Sequence, residues 1–186
     1  MMRARPSRPP RRRLGFLRDQ SGAAAAELVL WIALLIVPVL SVLDLGLYGF
    51  QRMQVEYAAQ AGIQAARLAC GDSAAPFTKN CAGLSSAVTT AAQSTLLGSS
   101  VSLSGAPVEG YYCVDSSGAL AAVGSVGSPP TKPSPFTCDS VTTGSSSSPG
   151  TYLQVTVTYD YSPVFTTPIA SLFGTKIERT AWLRVE

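Results

Sequence analysis

A single carboxylate at the head of an apolar run is the first group in this chain with chemistry to do. Glu27 stands five residues after Gly22, and Leu28 to Leu43 then runs for sixteen residues without a charge. A lone carboxylate in lipid costs on the order of a few kcal/mol unless it finds a partner. An ordinary anchor has no need of one. A helix N-terminus also favours an acid through its macrodipole, so position alone leaves an assembly role and a plain boundary role both open. Asp44 falls where the run ends and reads as a solvated boundary residue.

Cys70, Cys81, Cys113 and Cys138 are the other reactive set. Three pairings are possible. Cys70–Cys81 with Cys113–Cys138 is preferred because it closes short loops, and an oxidising compartment favours such bonds. A four-cysteine metal site is disfavoured, since the chain has no Cys-x-x-Cys pair and no histidine. The missing histidine also removes the commonest general base. No Gly-x-Ser-x-Gly elbow, phosphate-binding glycine loop or dinucleotide fingerprint occurs. Glu27, Asp44 and Glu56 lie at separate heights on one helix and make no catalytic pair. The expectation is therefore no enzyme, no cofactor, no metal and no small-molecule substrate.

The element that positions Glu27 is a membrane-length helix. Ala23 to Leu43 would rise roughly 31 Å, which matches a hydrocarbon core of about 30 Å. Pro38 lies inside it and is tolerable in a membrane span. The first 22 residues hold seven arginines and one aspartate, a charge of +6, while residues 23 to 186 hold seven basic and ten acidic groups, a charge of −3. The positive-inside rule puts the arginine-rich end in the cytoplasm and everything after Leu45 outside. The basic balance therefore belongs to the leader, and no basic face with interleaved aromatics points to nucleic acid. A cleaved secretory signal with a cut near Ala58-Ala59-Gln60-Ala61, a twin-arginine signal at Arg12-Arg13-Leu14-Gly15-Phe16-Leu17, and an uncleaved signal anchor are the competing readings.

Gly22 followed by Glu27 is similar to a type IV prepilin cleavage site, with Glu at position five of the mature chain. Ser21-Gly22-Ala23-Ala24-Ala25-Ala26-Glu27, the apolar run, Asp44-Leu45-Gly46 and residues 54 to 69 together resemble the TadE-like proteins. So do Val155-Thr156-Val157-Thr158-Tyr159-Asp160-Tyr161-Ser162-Pro163 and the closing Arg179-Thr180-Ala181-Trp182-Leu183-Arg184. Those proteins are pseudopilin-like minor components of tight-adherence (Flp) pilus systems. The resemblance implies processing between Gly22 and Ala23, and a pairing of Glu27 with the freed amine of a neighbouring subunit. It implies a prepilin peptidase, sibling pseudopilins or pilin, and a pilus assembly platform as partners. The location it implies is the bacterial inner membrane, with the C-terminal domain periplasmic. The alternative is an uncleaved, signal-anchored envelope protein whose disulfide-bonded outer domain binds something else.

Helical patterning continues past the span. Phe50, Met53, Tyr57, Ala61, Ala65 and Leu68 form an apolar stripe beside the polar stripe of Arg52, Glu56, Gln60, Gln64 and Arg67. The apolar stripe is expected to dock on the chain's own domain. Gly46, Gly49 and Gly62 would allow close approach of another backbone. One helix from about Ala23 to Ala69 would be some 70 Å long. Beyond it, Leu84 to Leu97 reads as a short helix, and Val101–Leu103 and Val108–Val114 as weak strands. Asp115 to Gly150 reads as a long Ser/Gly/Pro-rich loop. Within it Pro129 to Pro135 is expected to be extended, and Gly144 to Gly150 flexible. Leu153, Val155, Val157, Tyr159 and Tyr161 alternate with polar neighbours as one face of a strand. Lys176 to Val185 reads as another strand.

The expected fold is α+β: a long N-terminal transmembrane helix continuing into a stalk packed on a small, disulfide-bonded antiparallel-sheet domain. The divisions are a leader over 1–22, the span over 23–45, its helical continuation over 46–70 and the outer domain over 71–186, with the loop at 115–150.

Overall fold

The computed structural model of the protein describes residues 21–71, 75–126, 131–165 and 174–185. The arginine-rich leader, and Pro129 and Pro130 of the proline-rich stretch, lie outside them.

One helix, α1 (Ser21–Cys70), runs for 50 residues with Pro38 inside it. Its end is a glycine stop. Gly71 takes φ +69°, and its N–H donates to the Arg67 carbonyl at 3.0 Å, the left-handed cap that only glycine adopts without strain. Two short helices follow, α2 (Phe77–Asn80) and α3 (Leu84–Gln93). α3 is shorter than the expected Leu84–Leu97. The Ser94 and Thr95 hydroxyls donate to the carbonyls of Ala91 and Ala92, which offers the backbone an alternative to continuing the helix.

Five strands form one antiparallel sheet: β1 (Val101–Leu103), β2 (Val108–Val114), β3 (Leu120–Ser125), β4 (Gly150–Asp160) and β5 (Lys176–Arg184). β4 is the hub. Along one side it pairs with β5 from Tyr152↔Arg184 to Asp160↔Lys176. On the other side β2 takes its first half, through Val108↔Gln154, and β1 its second half, through Val101↔Tyr159. β3 folds back on β2 as a hairpin, so residues 120–125, expected as loop, are strand. The turn between them is built by Asp115. One of its oxygens accepts N–H bonds from Ser117 and Ala119 and the Ser117 hydroxyl.

α1 and α3 cover one face of the sheet. The core joins Val55, Ala58, Ala59, Ile63 and Ala66 of α1 to Leu84, Val88 and Ala92 of α3 and to Leu153, Val155, Val157, Ile177 and Ala181 of the sheet. Each large aliphatic side chain in it is worth about 1.5–3 kcal/mol of burial. The face of α1 that docks is therefore not the expected one. Phe50, Met53, Tyr57 and Leu68 point outward, at 48, 62, 61 and 87 % exposure. Small residues won the contact because they let the helix sit close. A Cβ on Gly62 would lie 3.1 Å from Val88 Cγ1, whereas Gly46 and Gly49 have nothing within 4 Å of such an atom.

The other face of the sheet carries polar and aromatic side chains. Tyr112 stands edge-on to both Tyr152 and Trp182, with ring centroids 6.0 and 4.9 Å apart. Its hydroxyl donates to Gln154 Oε1 at 3.3 Å, and burial raises its pKa above the ordinary phenol value. Thr156 and Thr180 bond across β4 and β5 at 3.0 Å.

Candidate functional site

From Gly22 to Val39, α1 has no protein around it. Leu28, Val29, Leu30, Trp31, Ile32 and Leu34 are 53 to 71 % exposed and, being almost consecutive, sit on every side of the helix. A helix that is apolar all round is made for lipid or for other helices rather than for water. α1 is the one helix among the described residues long and apolar enough to cross a membrane. Gly22, Ala23 and Glu27 lie exposed in its opening turns. The Gly22–Ala23 bond and the Glu27 carboxylate are thus on one short, accessible stretch of helix.

At the far end of the apolar run the chain returns to meet it. Asp44 is fully buried, not solvated as its position in the sequence implies. One of its carboxylate oxygens, Oδ1, accepts the backbone N–H groups of Val164 at 3.1 Å and Phe165 at 3.2 Å. The Tyr161 hydroxyl donates to the Asp44 carbonyl at 3.3 Å, and the Tyr161 ring stands edge-on to Tyr48, 5.1 Å between centroids. Burial, and then the nearby Asp44 charge, push the Tyr161 phenol pKa up. Oδ2 of Asp44 is buried with no hydrogen-bond partner. The reason for the arrangement is local. Pro163 ends β4, and the two residues after it have N–H groups with no ladder to join, so they need an acceptor. The sequence signal was Tyr-Ser-Pro at the strand end, which announces a turn but not what closes it.

Glu109 makes a second clamp of the same kind, which the sequence did not single out. It is buried as the second residue of β2, and its Oε2 accepts the N–H and hydroxyl of Thr78 at 3.1 and 3.0 Å. It thereby caps α2, whose own N-cap residue, Pro76, has no side-chain donor or acceptor to offer. Its Oε1 has no hydrogen-bond partner, and the residue lines a small cavity with Ala75, Pro76, Tyr111, Val126 and Thr151.

The four cysteines are brought together as Cys70–Cys81 and Cys113–Cys138, closing separations of 11 and 25 residues. The first ties the end of α1 to the residue after α2. The second ties β2 to the segment before β4, and the Cys138 N–H donates to the Ser147 carbonyl. The stretch around Gly144 is thus held at several points. The Gly144 N–H itself donates to the Asp139 carboxylate.

These features define a class: a single apolar helix fit to anchor a chain in a membrane, carrying a disulfide-bonded α+β head on its own continuation. Within that class the model of the TadE-like protein family matches residues 22–64. The match begins at Gly22 and takes in Glu27, the apolar run, Asp44 and most of the stalk, so over that stretch the chain is similar to the TadE-like proteins. No curated protein and no solved structure matches the chain.

Proposed function

We propose that this chain is a TadE-like minor pseudopilin that acts in assembly of tight-adherence (Flp, type IVb) pili or a related secretion apparatus. The observation that carries this reading is an overlap. The family match covers residues 22–64, and the bare apolar surface of α1 falls in the same stretch. In this reading the chain spans the bacterial inner membrane once, leader inside and head outside, as the arginine asymmetry favours. A prepilin peptidase cuts after Gly22. Glu27 then pairs with the amine of a neighbouring subunit, which relieves a costly charge in lipid and fixes register between helices. The exposed stripe of Val39, Leu43, Phe50, Met53 and Tyr57 faces sibling pseudopilins, and the assembly platform receives the complex. The role is structural, and no reaction is assigned to the chain.

The test is N-terminal sequencing of the protein purified from membranes, run beside pilus counts in a strain carrying Glu27→Ala. A mature start at Ala23 with loss of pili in the variant is the expected pair. An intact leader in the membrane would remove the amine pairing, and full piliation with Glu27→Ala would remove the assembly role of that residue.

A further inference from the structure

We infer that the turn after β4, Ser162 to Phe165, rests on the lipid surface where α1 leaves the bilayer, so that the head is seated on the membrane rather than held above it. The inference rests on the reading that the first half of α1 spans the bilayer, and adds a second contact to it.

Height is the first argument. Asp44 directly follows Leu43, the last residue of the uncharged run. Its carboxylate binds the N–H groups of Val164 and Phe165 directly. The turn is therefore held at the level at which the helix exits the hydrocarbon, and cannot lie further out. Composition is the second. From Tyr161 to Thr175 no charged residue occurs, and Asp160 and Lys176 bracket the stretch. Val164 is 66 % exposed. A lone exposed valine means little, but here it stands beside an apolar anchor in an uncharged segment. The third is the setting of the tyrosines. Tyr48, half-buried and four residues past Asp44, stands edge-on to the buried Tyr161, at the level where an amphipathic ring favours the headgroup region. The fourth is backbone satisfaction. Irregular backbone near lipid is costly when its N–H groups are bare, and the two that follow Pro163 are taken by Asp44.

The test uses full-length protein in phosphatidylcholine–phosphatidylglycerol vesicles. All four native cysteines are in disulfides, so a nitroxide label reacts with an introduced thiol. Val164→Cys is compared with Leu35→Cys in the span and Val108→Cys on the outer face of the sheet, both of which replace side chains 55 % exposed. Collision with oxygen, which concentrates in lipid, is read against collision with a neutral nickel chelate, which stays in water. The expected order of nickel access is lowest at 35, several-fold below the value of 108 at 164, and highest at 108. Equal access at 164 and 108, with 35 protected, overturns the seating while the span stands. Nickel access at 35 overturns the span and the seating with it. Adding Asp44→Ala to the 164-labelled protein should raise nickel access there towards the value at 108. An unchanged value would show that Asp44 does not set the height.

Discussion

Asp44 Oδ1 and the backbone N–H of Val164 lie 3.1 Å apart across 120 residues of chain. That bond, and its companion to Phe165 at 3.2 Å, join the membrane end of the helix to the far end of the sheet. Asp44→Ala leaves both donors without an acceptor. A buried unsatisfied donor costs about 1–3 kcal/mol, so the head should lose on the order of 2 kcal/mol or more in denaturant unfolding in detergent. Asp44→Asn keeps one oxygen and should lose less. A change in Asp44→Ala no larger than about 0.5 kcal/mol, the range of ordinary surface changes, would remove the clamp from the account.

Gly62 sets the distance between α1 and α3. Any larger side chain must displace Val88, whose Cγ1 and carbonyl would lie 3.1 and 3.4 Å from an added Cβ. Gly62→Leu should destabilise by about 1–3 kcal/mol through overpacking. Gly49→Ala, with open space around it, should leave the melting temperature of the head unchanged or slightly raised by helix propensity.

The two disulfides should be separable. Peptide mapping without reductant should recover 70 linked to 81 and 113 linked to 138. By loop-closure entropy each is worth roughly 3 kcal/mol, with the longer loop slightly ahead. Replacing Cys113 and Cys138 with alanine should therefore cost a little more stability than replacing Cys70 and Cys81. A reversal of that order would mean that the tie at the end of α1 matters through packing rather than through chain entropy.

Two groups should add a pH dependence to the stability. The Ser117 hydroxyl, with the Ala119 and Ser117 N–H groups, holds the Asp115 carboxyl below the usual carboxylate range. A depressed acid stabilises the fold above its unfolded value, and that contribution is lost as pH falls through the folded one. The β2–β3 turn should loosen in acid, and Asp115→Asn should flatten that limb of the curve. The raised Tyr161 phenol works in the opposite direction. Its contribution is present below the ordinary tyrosine value and lost as pH rises through the raised one. Tyr161→Phe should abolish that alkaline loss, at the expense of the hydrogen bond to the Asp44 carbonyl. Amide exchange at Ser117 and Ala119 in acid, and at Val164 and Phe165 in alkali, would register the two effects.

How much of this was legible depended on whether a signal was local. The apolar run, the glycine stop at 71 and the alternation from Leu153 to Tyr161 are one-dimensional patterns, and each became the element it implies. The docking face of α1 is hard to read because its large apolar side chains do not mark the core. The contact instead selected Ala58, Ala59, Gly62 and Ala66, whose small size permits approach but adds little to a periodicity. β3 was hidden because Leu120-Ala121-Ala122-Val123-Gly124-Ser125 has weak strand propensity and depends on β2 for its ladder. Asp44 and Glu109 were misplaced or missed because burial of a carboxylate is decided by what returns to cover it from 31 to 120 residues away. Glu27 and the Gly22–Ala23 bond are visible at sequence level alone, and their roles remain with the experiments above.

The continuity of α1 has a consequence for how the head meets other molecules. An anchored domain on a flexible linker explores a volume that grows with linker length, and it must give up that freedom on binding. Here the linker length is zero. The helix fit to cross the bilayer is the same one that walls the core, and the first residue beyond the run is already bonded to the turn after β4. The head is left with lateral diffusion and spin about the helix axis. Its search for a neighbour anchored in the same way is two-dimensional and at constant elevation, so the effective concentration of one for the other is set by the membrane rather than by the surrounding fluid.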